Sequence, residues 1–112
     1  MIVLLVALAT ADAPTDRPAV PARVISGTIT ELDYPPAAFA RGAEGLTKVW
    51  MVITTDGRAT DCRLFQSSGH ADLDAIVCPL ATGRMRFSPA LDGEGKPRPM
   101  NAIMPVRWML GD

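Results

Sequence analysis

Apolar and polar residues alternate most clearly over residues 46–55 and 60–66. Each stretch reads as a β-strand, because successive side chains on a strand point to opposite faces. Asp56-Gly57 lies between them, a dipeptide suited to the left-handed conformations of a tight hairpin turn. With those two residues as the loop, Met51 faces Cys62 and Val49 faces Leu64 on the side that also carries Ile53. Trp50 then lies opposite Arg63, and Lys48 opposite Phe65, on the other side. A helical period follows: Leu73, Ile76, Val77 and Leu80 recur at i, i+3, i+4 and i+7. The spacing predicts a helix from Ala71 or Asp72 to Gly83, with a serine cap and with Asp72 and Asp74 in the first turn, where the helix dipole favours them. Alternation returns over residues 100–110. Met104, Val106, Trp108 and Leu110 share one side, and Ile103, Pro105, Arg107 and Met109 the other.

Chain direction then sets the sheet. The hairpin runs up and down and the helix carries the chain back up, so the third strand descends and pairs only with the first. The order is 2-1-3. Pro105 argues for an edge position, since proline has no ladder donor. A shorter helix is expected over residues 37–41, opened by Pro36 and stopped by Gly42. The expected fold is α+β: a three-stranded antiparallel sheet with two helices packed on one face.

The remaining chain changes this picture in a few places. MIVLLVALATADA is an apolar run followed by Ala11-Asp12-Ala13, which predicts a signal peptide over residues 1–13. No basic residue precedes the run and it is short, so a mis-called start or a frayed apolar end is the competing reading. The run is far below the roughly 20 residues a membrane-spanning helix needs, and no membrane span is expected. Pro14, Pro18 and Pro21 predict a flexible lead-in over residues 14–32, with a short extended segment from Val24 onward. Residues 33–112 are the folded domain. Eleven Lys and Arg against twelve Asp and Glu, with no basic stripe, give no basis for nucleic-acid binding.

Two cysteines suit an exported protein. A Cys62–Cys78 bridge would close a short loop and contribute roughly 3 kcal/mol by restricting the unfolded chain. Cys78 lies about 140° from Leu73 round the helix, on its flank. Pro79 could distort the last turn and swing it inward. One histidine and no C-x-x-C pair leave no zinc pattern, and neither a metal nor a cofactor is expected. Residues 92–96 (DGEGK) lack the spacing of a phosphate loop. Ser67, Ser68, His70, Asp72 and Asp74 resemble hydrolase parts, but a triad needs an oriented base and an oxyanion site. Clustered at one helix start they read as caps, so no enzyme is expected. Trp50, Val52 and Phe65 share the sheet face away from the helices. Either the 24–32 segment covers them or they form a dimer or partner surface.

Seven pieces, in order, resemble the C-terminal domain of the TonB family. They are Tyr34-Pro35, Glu44-Gly45, Thr54-Thr55-Asp56-Gly57, Ser67-Ser68-Gly69, Leu73-Asp74, Arg86-Phe87-Ser88-Pro89-Ala90, and Pro105-Val106-Arg107-Trp108. The resemblance implies a periplasmic domain that binds an extended peptide of a TonB-dependent outer-membrane receptor. In that family the peptide adds a strand to the edge of the last strand. Carried over residue by residue, Tyr34 and Pro35 are the contact region before the first helix. Ala102, Ile103, Met104, Val106 and Arg107 carry over as the pairing edge. Homodimerisation through the same edge, or binding of another periplasmic protein, is also expected. The family's glutamine before Tyr-Pro is Asp33 here. The alternative implied by the missing anchor and spacer is an unanchored structural or regulatory periplasmic protein that does not itself transduce energy.

Overall fold

The alternating stretches become a hairpin of β4 (Gly45–Ile53) and β5 (Ala59–Gln66) in the computed structural model, which describes residues 2–5 and 8–111, with side chains from Leu8 onward. Of the expected leader, Met1, Val6 and Ala7 lie outside the described residues. Thr47, Val49, Met51 and Ile53 are buried and their neighbours are not, as the period of two requires.

The turn is longer than Asp56-Gly57 alone. The Thr54 amide donates to the Arg58 carbonyl at 2.8 Å, and only Gly57 takes a positive φ, of 80°. Gly57 is pressed against a neighbouring strand: Phe87 donates its amide to the Gly57 carbonyl at 2.9 Å. A Cβ at Gly57 would collide with the Phe87 carbonyl oxygen. The longer loop moves the pairing by one residue, so Val52 faces Thr60 and Ile53 faces Ala59. A bulge at Asp61, whose φ is 54°, then restores the expected Trp50↔Arg63 and Val49↔Leu64 pairs. Met51 falls at that slip instead of squarely opposite Cys62. A second slip sets Lys48 against Gln66 rather than Phe65.

α2 (Ala71–Gly83) lies against β4 and β5. Leu73, Val77 and Ala81 are fully buried, with Ile76, Leu80 and Cys78 beside them. Cys78 therefore flanks the stripe on the side that meets β5, where it is bonded to Cys62 across a Cα–Cα distance of 5.5 Å. Pro79 stays within the helix because it points to solvent, where a displaced carbonyl can be hydrated. The residue at the helix N-cap is His70, with no side-chain capping bond. The expected serines act otherwise, as described below.

α1 (Pro36–Ala40) buries Ala38 in the same core. The last strand, β9 (Met100–Met109), buries Met100, Ala102, Met104, Val106 and Trp108, and pairs with β4. The order β5-β4-β9 is thus the expected 2-1-3.

The expected three strands are too few. β1 (Ile2–Leu5) continues the sheet as β1-β9-β4-β5, and β2 (Ala9–Thr10) also pairs with β9. The β2 partners, Ala102 and Ile103, are paired with β4 as well, so β2 lies on the same outer side of β9 as β1. β9 is therefore interior. Pro105 is tolerated there at a discontinuity: the outer register slips by one residue between Leu5↔Val106 and Ala9↔Ile103, opposite Met104 and Pro105.

The lead-in over residues 14–32 is held against the body. Val20 and Leu91 exchange both backbone hydrogen bonds, at 3.1 and 2.8 Å, and Ala22 and Ile29 are buried. β3 (Arg23–Ser26) pairs with β6 (Arg86–Ser88). β7 (Ala90–Leu91) and β8 (Pro97–Arg98) form a small hairpin whose turn is organised by the Asp92 carboxylate, which accepts from the Glu94 and Lys96 amides. Among the described residues, no helix is long and apolar enough to cross a membrane.

Candidate functional site

A strand that can receive another must be straight and must offer unpaired main-chain groups at regular spacing. The two long strands that flank β4 differ in this respect. β5 carries the two slips and the left-handed Asp61, which bend a strand and twist its ladder away. β9 pairs with β4 from Gly45↔Trp108 to Ile53↔Met100 without a slip, so its far side presents a regular ladder.

That far side is already in use. Ile2, Val3, Leu4 and Leu5 face Met109, Trp108, Arg107 and Val106 in antiparallel register. Ala9 and Thr10 face Ile103 and Ala102, and the Ala11 amide donates to the Asn101 carbonyl at 2.8 Å. Asn101 Nδ2 then donates to Asp12 Oδ1 at 2.9 Å, and Thr10 Oγ1 to Asp12 Oδ2 at 3.2 Å. Leu8 packs against the core. A run of short apolar residues, Ile2 to Leu5, was the available sequence signal for this pairing, and the leader pattern masked it.

The expected contact residues fall into two groups. The side chains of Ala102, Met104 and Val106 are fully buried beneath the sheet, whereas Ile103 is half-buried and Arg107 exposed on its outer face. All five lie on β9, where Ile103 and Arg107 turn their main-chain groups outward at the edge, in phase with Asn101, and Ala102, Met104 and Val106 turn theirs to β4. Tyr34 and Pro35 are not on that edge: Tyr34 is buried, donates its hydroxyl to the Ala43 carbonyl, and meets the Trp108 ring edge-on at 5.2 Å. Burial pushes the Tyr34 phenol above its ordinary value, with Glu44 and Asp72 adding to the shift. Tyr34 touches the strand through Trp108, so it supports β9 from behind.

Asp33 has an internal partner. Arg84 donates to both its carboxylate oxygens, at 2.9 and 2.7 Å, and to the Gly27 and Thr28 carbonyls at 3.0 Å. The Arg84 hydrogen bonds hold the Asp33 carboxyl below the usual carboxylate range, against some desolvation. The planar guanidinium thus ties the 27–33 loop to the end of α2.

The polar residues at the start of α2 form a bracing network. Burial by itself would raise the Asp74 carboxyl. Hydrogen bonds from the Ser67 hydroxyl, the Ser68 amide and hydroxyl, and the Thr47 hydroxyl outweigh it and hold the group below its ordinary value. Thr47 Oγ1 in turn accepts from Trp108 Nε1 at 3.1 Å. The serines therefore bind Asp74 instead of capping the helix. Arg41 makes a bidentate pair with Asp72, at 2.9 and 2.7 Å, and its other near neighbour is His70 Nδ1 at 3.4 Å. A guanidinium, not a serine hydroxyl, faces the imidazole. On the outer face, Arg63 covers the Trp50 ring at 4.3 Å. Phe65, the residue beside the second slip, stays exposed.

Comparisons with known proteins agree on the kind of domain. The family model described as Gram-negative bacterial TonB protein C-terminal matches residues 30–110. Protein TonB of Pseudomonas aeruginosa is 35% identical over 83 residues, covering 65% of this chain and 24% of that protein. The chain thus aligns with only about a quarter of the length of that relative. The solution NMR structure of the Pseudomonas aeruginosa TonB CTD has the same fold, with a TM-score of 0.61 at 24% identity, over 94% of this chain and 96% of that one. From Thr30 through Leu110, this chain belongs to the family of Gram-negative bacterial TonB protein C-terminal domains.

Proposed function

We propose that this chain is a non-catalytic, periplasmic protein-binding module that takes an extended segment of an outer-membrane receptor onto the outer edge of β9, in service of energy-coupled transport. One observation carries the reading. The outer side of β9 holds an antiparallel segment from the far end of the chain, so its backbone spacing suits strand addition. On the pairing edge of residues 102–107, the main-chain groups of Ile103 and Arg107 face outward in phase with the Asn101 carbonyl that accepts from Ala11, while Ala102, Met104 and Val106 turn theirs to β4 and hold the edge in register. Tyr34, with Pro35 beside it, keeps the ladder in place through Trp108. The Cys62–Cys78 bridge is at home in an oxidising compartment. Receptor binding, export and transport come to this chain from the family resemblance.

A second reading has its own support. Because the edge is filled by β1 and β2, a structural or regulatory protein that adds no foreign strand fits the closed sheet. A backbone-assigned NMR titration separates the two, using receptor plug peptides and protein recovered from a periplasmic fraction. Shifts along β9 are expected. Shifts confined to the helices, with β9 unmoved, would refute strand addition. Loss of receptor-dependent nutrient uptake on gene deletion favours the transport reading, and unchanged uptake the regulatory one.

A further inference from the structure

The filling of β9 has a one-sided geometry. Every described backbone pair on the outer side of β9 comes from residues 2–11, and the clamp that follows them ends at Asp12. The chain then departs through a turn at Pro14–Asp16 and is next held at Val20, against Leu91, a different part of the body. The body thus has its own attachments, and residues 2–5 and 8–12 are added separately along the edge. It also precedes the stretch that matches the family model, which starts at residue 30. Two A-x-A patterns, Ala9-Thr10-Ala11 and Ala11-Asp12-Ala13, stand where β2 ends.

We propose that residues 2–12 are a resident strand that occupies the acceptor edge of β9, and that a second extended apolar segment pairs there only once this one has left. The inference rests on the strand-addition reading above and adds who holds the edge first. The occupant also describes its competitor: an antiparallel, mainly apolar segment that tolerates a one-residue slip opposite Met104 and Pro105 and closes on an acceptor for Asn101, as Asp12 does. Release needs one hydrolytic cut. Water adds across the peptide bond after Ala11 or Ala13, under a leader peptidase, leaving a carboxylate on the released piece and a new amine on the domain. Either cut removes β1 and β2 together.

A tethered segment acts at a roughly millimolar effective concentration. A free strand that binds the open edge at about 100 µM would therefore bind the closed chain about tenfold more weakly. The test uses the full chain and a full-length variant, Leu4→Pro, Leu5→Pro, Ala9→Pro and Thr10→Pro. Adjacent prolines remove a ladder donor from each short strand whichever way the alternation runs. The probe is a synthetic peptide of residues 2–12 carrying a lysine tail. It is expected to bind the proline variant and to bind the unaltered chain at least about tenfold more weakly. Equal binding to both, or binding to neither, overturns the proposal. Hydrogen exchange on the unaltered chain is a second measurement that needs no variant to fold. Outward-facing β9 amides are expected to be protected there, and exchange as fast as in open loops overturns the proposal. Receptor plug peptides on the proline variant test the parent reading separately. If they fail where the 2–12 peptide binds, the receptor assignment falls and the resident strand stands.

Discussion

Replacing Thr47 by valine keeps the shape of the side chain and removes one hydroxyl from a place with no access to water. Thr47 and Trp108 are both fully buried. That hydroxyl accepts the indole N–H at 3.1 Å and donates to Asp74 at 2.9 Å. With valine, the Trp108 N–H loses its partner inside the core, which costs about 1–3 kcal/mol. Asp74 keeps three of its donors, those of Ser67 and Ser68, so its share is smaller, about 0.5–1 kcal/mol. The sum is about 3 kcal/mol, a large part of the stability of a domain this size. Urea denaturation, followed by far-UV circular dichroism and tryptophan fluorescence, reads it as a lower midpoint at unchanged slope. Repeating Thr47→Val in a Trp108→Phe background isolates the mechanism, because phenylalanine has no N–H to strand. There the valine change is expected to cost about 1 kcal/mol or less, leaving a coupling of about 2 kcal/mol. A coupling below about 0.5 kcal/mol would show that the indole hydrogen bond does not hold β9 to β4 as argued.

Two further expectations concern the body. Changing Cys62 and Cys78 to serine together, which opens a loop of 16-residue separation, is expected to cost about 3 kcal/mol and lower Tm by roughly 10–15 °C; a calorimetric shift under about 3 °C would contradict this. Asp33 and Asp74 both sit below the ordinary carboxylate value in the fold. Their contribution is therefore complete above about pH 4, the unfolded value, and is lost as pH falls through the lowered folded values. Asp74→Asn should flatten the acid limb of a plot of urea midpoint against pH, and a limb as steep as that of the unaltered protein would refute the network.

Much of the body was legible because period and burial coincide. Alternation in β4 and β9 predicts the buried residues, since both strands cover one core and their neighbours are wetter. The stripe on α2 places Cys78 on its flank, and the flank is where β5 runs. Finer register was not legible. The left-handed Asp61 and the second slip depend on how β5 bends over α2, and no residue type announces that bend. The edge assignment of β9 failed for a different reason. Pro105 does mark an interruption of a ladder, but an interruption also fits a one-residue slip between two added segments. The same apolar letters at the N-terminus serve a leader or a strand, and only the pairing partner separates them. Tyr34-Pro35 comes in through the family resemblance as a contact region, and the packing of the Tyr34 ring on Trp108 is a tertiary contact that no local pattern announces.

The irregular rim of β5 governs how large any assembly can grow. Two kinks and a left-handed aspartate make that side a poor template, so backbone-to-backbone association can proceed from one flank of the molecule alone. Once residues 2–12 have left β9, two copies joined through it would form a closed pair related by a two-fold axis, and the irregular β5 side would not extend that pair into a fibre.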